Sequence, residues 1–196
     1  MVSTKTESEI NLMSYAGKVA YELLELMAKE IKPGVTTKYL DDLAEKFIRS
    51  KECTPACLNY EGYPASICTS INEEVVHGIP SNRTLKNGDI ITIDVVVEYK
   101  GYMADTARTY SVGIVKKEIN DLLKHTEEAL YKGLSVIKPG IVLNEVCSSI
   151  ESVAKKYKYG VIRELTGHGI GTEMHEDPYI PNYSSKENNL ILKEGM

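Results

Sequence analysis

A five-residue segment occurs twice in this chain. Ile31-Lys32-Pro33-Gly34-Val35 returns as Ile137-Lys138-Pro139-Gly140-Ile141, an offset of 106 from residue 31 to residue 137. Pro and Gly together stop a helix, so each copy marks a helix end. Before the first copy, Ile10, Met13, Ala16, Ala20, Leu23, Leu24 and Met27 recur at steps of mostly three and four, behind a Thr6-x-x-Glu9 capping box. After it, Thr36 or Thr37 can cap a second helix with Leu40, Leu43, Phe47 and Ile48 on one face. The second copy has matching flanks: Ile119, Leu122, Leu123, Ala129, Leu130 and Leu134 before it, then Val146, Ile150, Val153 and Ala154 after it. Helix, Lys-Pro-Gly turn and helix, occurring twice, predict an internally duplicated domain.

Strands fill the space between the copies. Asn87-Gly88-Asp89 is a turn, and Ile90-Ile91-Thr92-Ile93-Asp94-Val95-Val96-Val97 is a β-branched run that looks buried on both faces. A turn within Glu98-Tyr99-Lys100-Gly101 returns the chain along a second strand over 102–112. A short strand is expected over 161–165, and 189–196 begins another strand-and-turn pattern. No linker or low-complexity segment divides the chain, so 1–196 reads as a single α+β domain.

The balance of 23 Lys and Arg against 28 Asp and Glu, net charge −5, argues against a partner held by its phosphates. No window approaches the about 18 apolar residues of a membrane span. The N-terminus lacks a secretory h-region, so the expected location is the cytoplasm. Cys53, Cys57, Cys68 and Cys147 are then expected reduced, and the sequons at Asn82 and Asn182 are discounted. No dinucleotide fingerprint, Walker loop or Gly-x-Ser-x-Gly elbow is present, and no local signature supports a Cys57 or Cys68 nucleophile beside His77.

Asp94 interrupts an apolar run, where an ionised carboxylate without a partner is costly. With the hairpin centred between Tyr99 and Lys100, Asp105 falls directly opposite it, the Cβ atoms about 4.5–5.5 Å apart. Either one acid stays protonated or a cation lies between them. Arg108, an odd number of residues from Asp105, belongs to the other face. Two solvated surface acids are the alternative, and the apolar neighbours of Asp94 weigh against it. The expectation is a divalent metal held by Asp94 and Asp105. Three of the four histidines lie in Gly- or Pro-bearing segments: His77, His168 and His175. His168, between two glycines, is the best imidazole ligand, and carboxylate with imidazole suits Mn, Fe, Co or Zn. His77 and His175 can donate to a substrate or move protons.

Together these segments resemble type I methionine aminopeptidase. The resemblance is carried by Ser70-Ile71-Asn72-Glu73-Glu74-Val75-Val76-His77-Gly78-Ile79-Pro80-Ser81, by Gly88 to Asp94 with Asp105-Thr106-Ala107-Arg108-Thr109, by Thr166-Gly167-His168-Gly169-Ile170-Gly171 and by His175-Glu176-Asp177-Pro178. It implies the pita-bread α+β fold, two pseudo-symmetric halves around a central antiparallel sheet. It also implies hydrolytic removal of the initiator methionine from nascent polypeptides by an enzyme with two divalent ions (Co, Mn, Fe or Zn). Carried over by position, Asp94, Asp105 and His168 are metal ligands, Asp105 bridging. His77 and His175 contact the scissile amide, and Cys57, Tyr60, Tyr63, Cys68 and Met174 line the methionine pocket with them. A ribosome contact is implied without a segment to carry it.

Three departures stand out. Met174 occupies a position that is often Phe in the family, and Glu61 one that is His in some members. The chain ends before two further glutamate ligands, so the expectation is a domain incomplete at its C-terminus, lacking its last strands. With three of five ligands it is expected to bind metal weakly and not turn over. Full turnover of a Met-Ala-Ser peptide by this chain contradicts that expectation. A prolidase-type hydrolase sharing the Asp-Asp-His framework, and a non-catalytic binding module on the same fold, are the competing readings.

Overall fold

The structure is a computed structural model that describes residues 2–196. In chain order it forms helices α1 (Glu7–Glu30) and α2 (Thr37–Ser50), and strands β1 (Thr54–Pro55), β2 (Cys68–Ile71), β3 (Ile90–Tyr99) and β4 (Tyr102–Ser111). Helices α3 (Lys117–Val136) and α4 (Leu143–Tyr157) follow, then strands β5 (Gly167–Gly169) and β6 (Glu176–Ile180). One 3-10 turn spans Tyr60–Gly62. The elements group into two compact units. One holds Ser8–Lys116 and Ile170–Met174; the other holds Lys117–Gly169, His175–Met196 and the N-terminal segment through Glu7.

The first unit is a four-stranded antiparallel sheet covered by two helices. β3 pairs along one edge with β4 and along the other with β1 and β2 in succession. Strand alternation decides its core: Ile91, Ile93, Val95 and Val97 have no exposed surface. They pack in one cluster with Ala16, Val19, Ala20, Leu23 and Met27 of α1 and Leu40, Ala44 and Ile48 of α2. Complete burial is worth about 1.5–3 kcal/mol for each large aliphatic side chain. The expected α1 stripe packs from Ala16 to Met27, joined by Val19, while Ile10 at its start is exposed and Met13 half-buried. Two polar contacts lock α1 to β4: Arg108 pairs with Glu25 at 2.6 Å, and the Tyr110 hydroxyl donates to the Leu24 carbonyl at 2.7 Å.

The run 90–97 is not buried on both faces. Thr92 and Asp94 on the second face are only half-buried. The hairpin turn also differs from expectation. Tyr99 pairs with Tyr102, and Lys100 and Gly101 form the turn with φ of +50° and +85°. Two successive positive φ values match the right-handed strand twist. A lysine in that conformation was the unforeseen element, and it moves the register: Asp94 faces Ala107, and Asp105 faces Val96.

The duplication is visible in hydrogen bonds. In the first unit Gly34 N donates to Leu85 O at 2.9 Å, Leu85 N to Val35 O at 2.8 Å, Thr37 N to Arg83 O at 3.1 Å and Lys38 N to Ser81 O at 2.8 Å. In the second unit Gly140 N donates to Leu192 O at 2.8 Å, Leu192 N to Ile141 O at 2.9 Å, Leu143 N to Leu190 O at 2.8 Å and Asn144 N to Asn188 O at 3.0 Å. Gly34 and Gly140 share φ values of +95° and +92°. The helix starts differ: the Thr36 hydroxyl accepts from Tyr39 N, whereas Val142 N donates to the Glu145 carboxylate.

In the second unit β5 and β6 pair, with an irregularity between His168 and Gly169. The strand expected over 161–165 does not form. Ile162 and Leu165 are exposed, and Arg163 lies over the Tyr183 ring and beside Glu151, so the segment has no apolar face to bury. No helix among the described residues is long and apolar enough to cross a membrane.

Candidate functional site

Register builds the site in the first unit. Positions paired across β3 and β4 share a face, so Asp94, Val96, Met103, Asp105 and Ala107 all lie on the side away from the α1–α2 core. The two acids are not directly opposed as expected. They are diagonal neighbours on one face, their Cα atoms about 7–8 Å apart. Asp105 is exposed and Asp94 half-buried. Arg108 sits on the other face and is engaged by Glu25.

Beside the acids lies an apolar cluster. Cys57, Val96 and Met174 are buried together, with Ala56, Tyr60, Tyr63, Met103 and Ile170 packed on them. Cys68 enters from β2, where it pairs directly with Asp94 and so shares its face. The segment bearing Met174 is held to the sheet by Met103 N, which donates to Gly171 O at 2.8 Å. All five expected pocket residues therefore lie in one unit and on one side of its sheet. Met103, Val96 and Ile170 were missed. The period-two alternation from Asp105 points to Met103 once the register is known.

The polar atoms of this cluster are mutually satisfied. Interaction with Cys68, together with burial, pushes the Cys57 thiol up, while the same interaction holds Cys68 down. Burial pushes the Tyr63 hydroxyl up, and its bond to Cys68 adds to this. That hydroxyl also reaches Gly78 O at 3.0 Å and Ile67 O at 3.2 Å. It therefore ties the cluster to the loop carrying His77, which is exposed with φ of +58°. Thr69 N donates to Gly78 O at 2.7 Å, and Gly78 N to Ser70 Oγ at 3.1 Å, so the loop lies against β2.

The other two histidines belong to the second unit. His168 on β5 is half-buried and His175 exposed, with ring centroids 4.4 Å apart in an edge arrangement. His168 Nδ1 lies 2.8 Å from the Gly169 carbonyl. A proton on Nδ1 donating to that carbonyl leaves Nε2 as the lone-pair nitrogen, the tautomer a metal ligand needs. Glu176, next to His175 in the chain, is held by Lys5 at 3.0 Å and Ser3 at 2.9 Å.

The donor chemistry of each unit taken by itself suits divalent ions: in the first, two carboxylates on one sheet face within a span two carboxylate arms can close, and in the second, an imidazole in the ligating tautomer. Among the described residues, no group of three or more His, Cys, Asp or Glu is assembled as a metal cluster. The fit thus rests on the carboxylate pair and the tautomer.

A sheet that buries one face against helices and arms the other with acids and an apolar cluster has the equipment of a metal-dependent hydrolase. The chain belongs to metallopeptidase family M24, whose profile matches residues 11–196. It is 44% identical to methionine aminopeptidase 1 of Bacillus subtilis, covering all of this chain and 79% of that protein. It is 46% identical to the methionine aminopeptidase of Rickettsia prowazekii, covering 75% of that protein. The crystal structure of the Rickettsia prowazekii enzyme superposes with a TM-score of 0.96 over 100% of this chain and 79% of that one. The prolidase from Pyrococcus furiosus superposes at 0.83 with 26% identity, over 98% of this chain and 55% of that one. The α+β pita-bread class expected from the sequence is the class of these relatives.

Proposed function

We propose that this chain is a methionine aminopeptidase, with its two units acting as one catalytic domain that removes N-terminal methionine. What carries the reading is the placement of an apolar, sulfur- and tyrosine-lined cluster beside Asp94 and Asp105 on one sheet face. Cys57, Cys68, Tyr60, Tyr63 and Met174 receive the methionine side chain, because thioether sulfur packs favourably on aromatic edges and on other sulfurs. Asp94, Asp105 and His168 hold two divalent ions, drawn from Co, Mn, Fe and Zn. When bound, such ions supply Lewis acidity and a hydroxide nucleophile at neutral pH. Asp94 and Asp105 provide the negative charge that retains the cations. His77 and His175 contact the scissile amide and stabilise the tetrahedral intermediate that forms there. The substrate is the N-terminus of a nascent polypeptide in the cytoplasm, met at the ribosome.

The test compares peptides that differ only at their first residues. Met-Ala-Ser, with Co(II) or Mn(II) present, is expected to bind more tightly or be cleaved faster than Gly-Ala-Ser and Met-Pro, read by calorimetry and by mass spectrometry of released methionine. No preference for Met-Ala-Ser in either measurement overturns the reading, and a preference for Met-Pro replaces it with a prolidase.

A further inference from the structure

The chain has four cysteines, all of them free, and two of them flank the same stretch of β3. Cys53 lies in the α1–α2 core, with its thiol 3.5 Å from the Lys51 carbonyl. Cys147 is wholly buried in the other unit, 3.6 Å from Asn188 Nδ2. Cys57 and Cys68, by contrast, are brought to neighbouring positions on β3: Cys68 pairs with Asp94, and Cys57 packs on Val96, two residues along the same face. Both are free, and they retain 7% and 5% exposure, whereas Cys147 has none.

The backbone holds this pair in place from both sides. Ala56 N donates to Val96 O at 2.9 Å and Tyr60 N to Cys57 O at 3.1 Å, which fixes the turn carrying Cys57. Cys68 is fixed by its ladder position opposite Asp94. The two residues thus descend from successive strands along the same edge of β3. A pocket for a thioether needs apolar walls, and Ala or Val would supply them. Two adjacent thiols add a chemistry that binding methionine does not require.

We propose that Cys57 and Cys68 form an oxidisable dithiol in the wall of the apolar cluster, closed to a disulfide by a peroxide and opened by a thiol reductant. This gating role rests on the cluster being the methionine pocket. One sulfur attacks a peroxide oxygen; the O–O bond breaks, leaving a sulfenic acid and one water. The second sulfur attacks the sulfenic sulfur; the S–S bond forms, the S–O bond breaks and a second water leaves. Two thiols lose two electrons and two protons, and the peroxide is reduced to two waters. Closing to a covalent bond draws the Cys57 turn onto β2 and takes that volume from the pocket.

The intact chain is treated with hydrogen peroxide, blocked with an alkylating agent and cleaved after glutamate without reduction. Cleavage at Glu61 separates Cys57 from Cys68, so a bridge appears as peptide 53–61 linked to 62–73. Fragmentation of the linked peptide assigns the bridged sulfur as that of Cys57 or Cys53. The expected result is a Cys57–Cys68 link that disappears with dithiothreitol, while Cys53 and Cys147 remain alkylated. C53S is expected to retain the link and C57S to lose it. Both sulfurs alkylated after peroxide, or each carried separately to sulfinic acid, overturns the dithiol. In parallel, the oxidised protein is expected to lose most of its Met-Ala-Ser binding and to regain it with dithiothreitol; a full link with unchanged binding overturns the gating. A reduced protein that shows no preference for methionine peptides defeats the functional reading instead, and the peptide map, read without substrate, still decides the dithiol.

Discussion

Gly78 occupies a position with a peptide group where a side chain would begin. A Cβ there would fall inside contact distance of the Thr69 carbonyl oxygen and 2.8 Å from its carbon. Backbone cannot step aside as a flexible side chain can. G78A is therefore expected to push the loop off β2, breaking Thr69 N to Gly78 O and the Tyr63 contact, and to cost about 1–3 kcal/mol. A lower urea midpoint, with weaker selection of methionine peptides as His77 shifts, checks it; unchanged values refute the fit described. Asp41 serves a different need. It is 5% exposed and accepts from Ser66 N at 2.8 Å and Ile67 N at 3.3 Å, the peptide groups that lead into Cys68. D41A orphans both donors at about 1–3 kcal/mol each; chemical denaturation measures the sum. At this scale the residues of the candidate site stand out in the sequence. A carboxylate inside a β-branched run and histidines beside glycines are chemical anomalies that need no coordinates. Asp41 was not legible, because its acceptors' partners lie 25 and 26 residues away and nothing local marks it.

Elements are held by features that periodicity does not encode. α4 is anchored through Glu151, whose carboxylate is 2.8 Å from Lys155, 3.6 Å from Arg163 and 3.3 Å from Ser184 N. The Lys155 hydrogen bond, with help from Ser184 N and Arg163, holds this acid below the usual glutamate range. A depressed folded-state pKa contributes stability that is present above the unfolded value and is lost as pH falls through the folded one. E151Q is expected to lower stability at neutral pH by about 1.5–3 kcal/mol, the worth of hydrogen bonds to a charged group. The difference from the parent should shrink as pH drops below the glutamate range. Urea unfolding at pH 7 and at pH 3 reads this, and a difference that persists at low pH contradicts the assignment. The same segment explains the misread strand: 161–165 has apolar residues, yet Arg163 is committed to Glu151 and Tyr183. The hairpin register failed for a comparable reason. A positive φ at Lys100 costs a Cβ-bearing residue energy that propensity counts against it, and the twist of two ten-residue strands outweighs that cost.

On the scale of the whole chain, the duplication was legible because both copies carry the same stop, Lys-Pro-Gly, between helices of the same polarity. Its structural counterpart, the short ladder that Gly34–Leu85 and Gly140–Leu192 begin, rests on partners that share only Leu-Lys-x-Gly, Leu85 to Gly88 and Leu192 to Gly195, too short a match to be read as a repeat by itself. The proposed metal ligands lie outside the repeated pieces: β3 and β4, between the copies, carry the acids, and β5, after the second copy, carries a histidine. A ligand that binds the folded chain and not the unfolded one must stabilise the fold by mass action. Mn(II) or Co(II) at a hundred times its Kd contributes about 2.7 kcal/mol. For a chain of this size that raises the melting temperature by roughly 5–10 °C. D94N and D105N each remove a charge without changing side-chain shape, so both are expected to fold and to lose this rise, and a chelator should abolish it in the parent. R108Q, on the opposite face of the same strand, removes a partner of Glu25 and should lower the baseline while leaving the metal-induced rise intact. Thermal scans of these four proteins with and without metal separate a carboxylate face that holds cations from a merely acidic surface, because only the former makes the response depend on which face of the β3–β4 hairpin is altered.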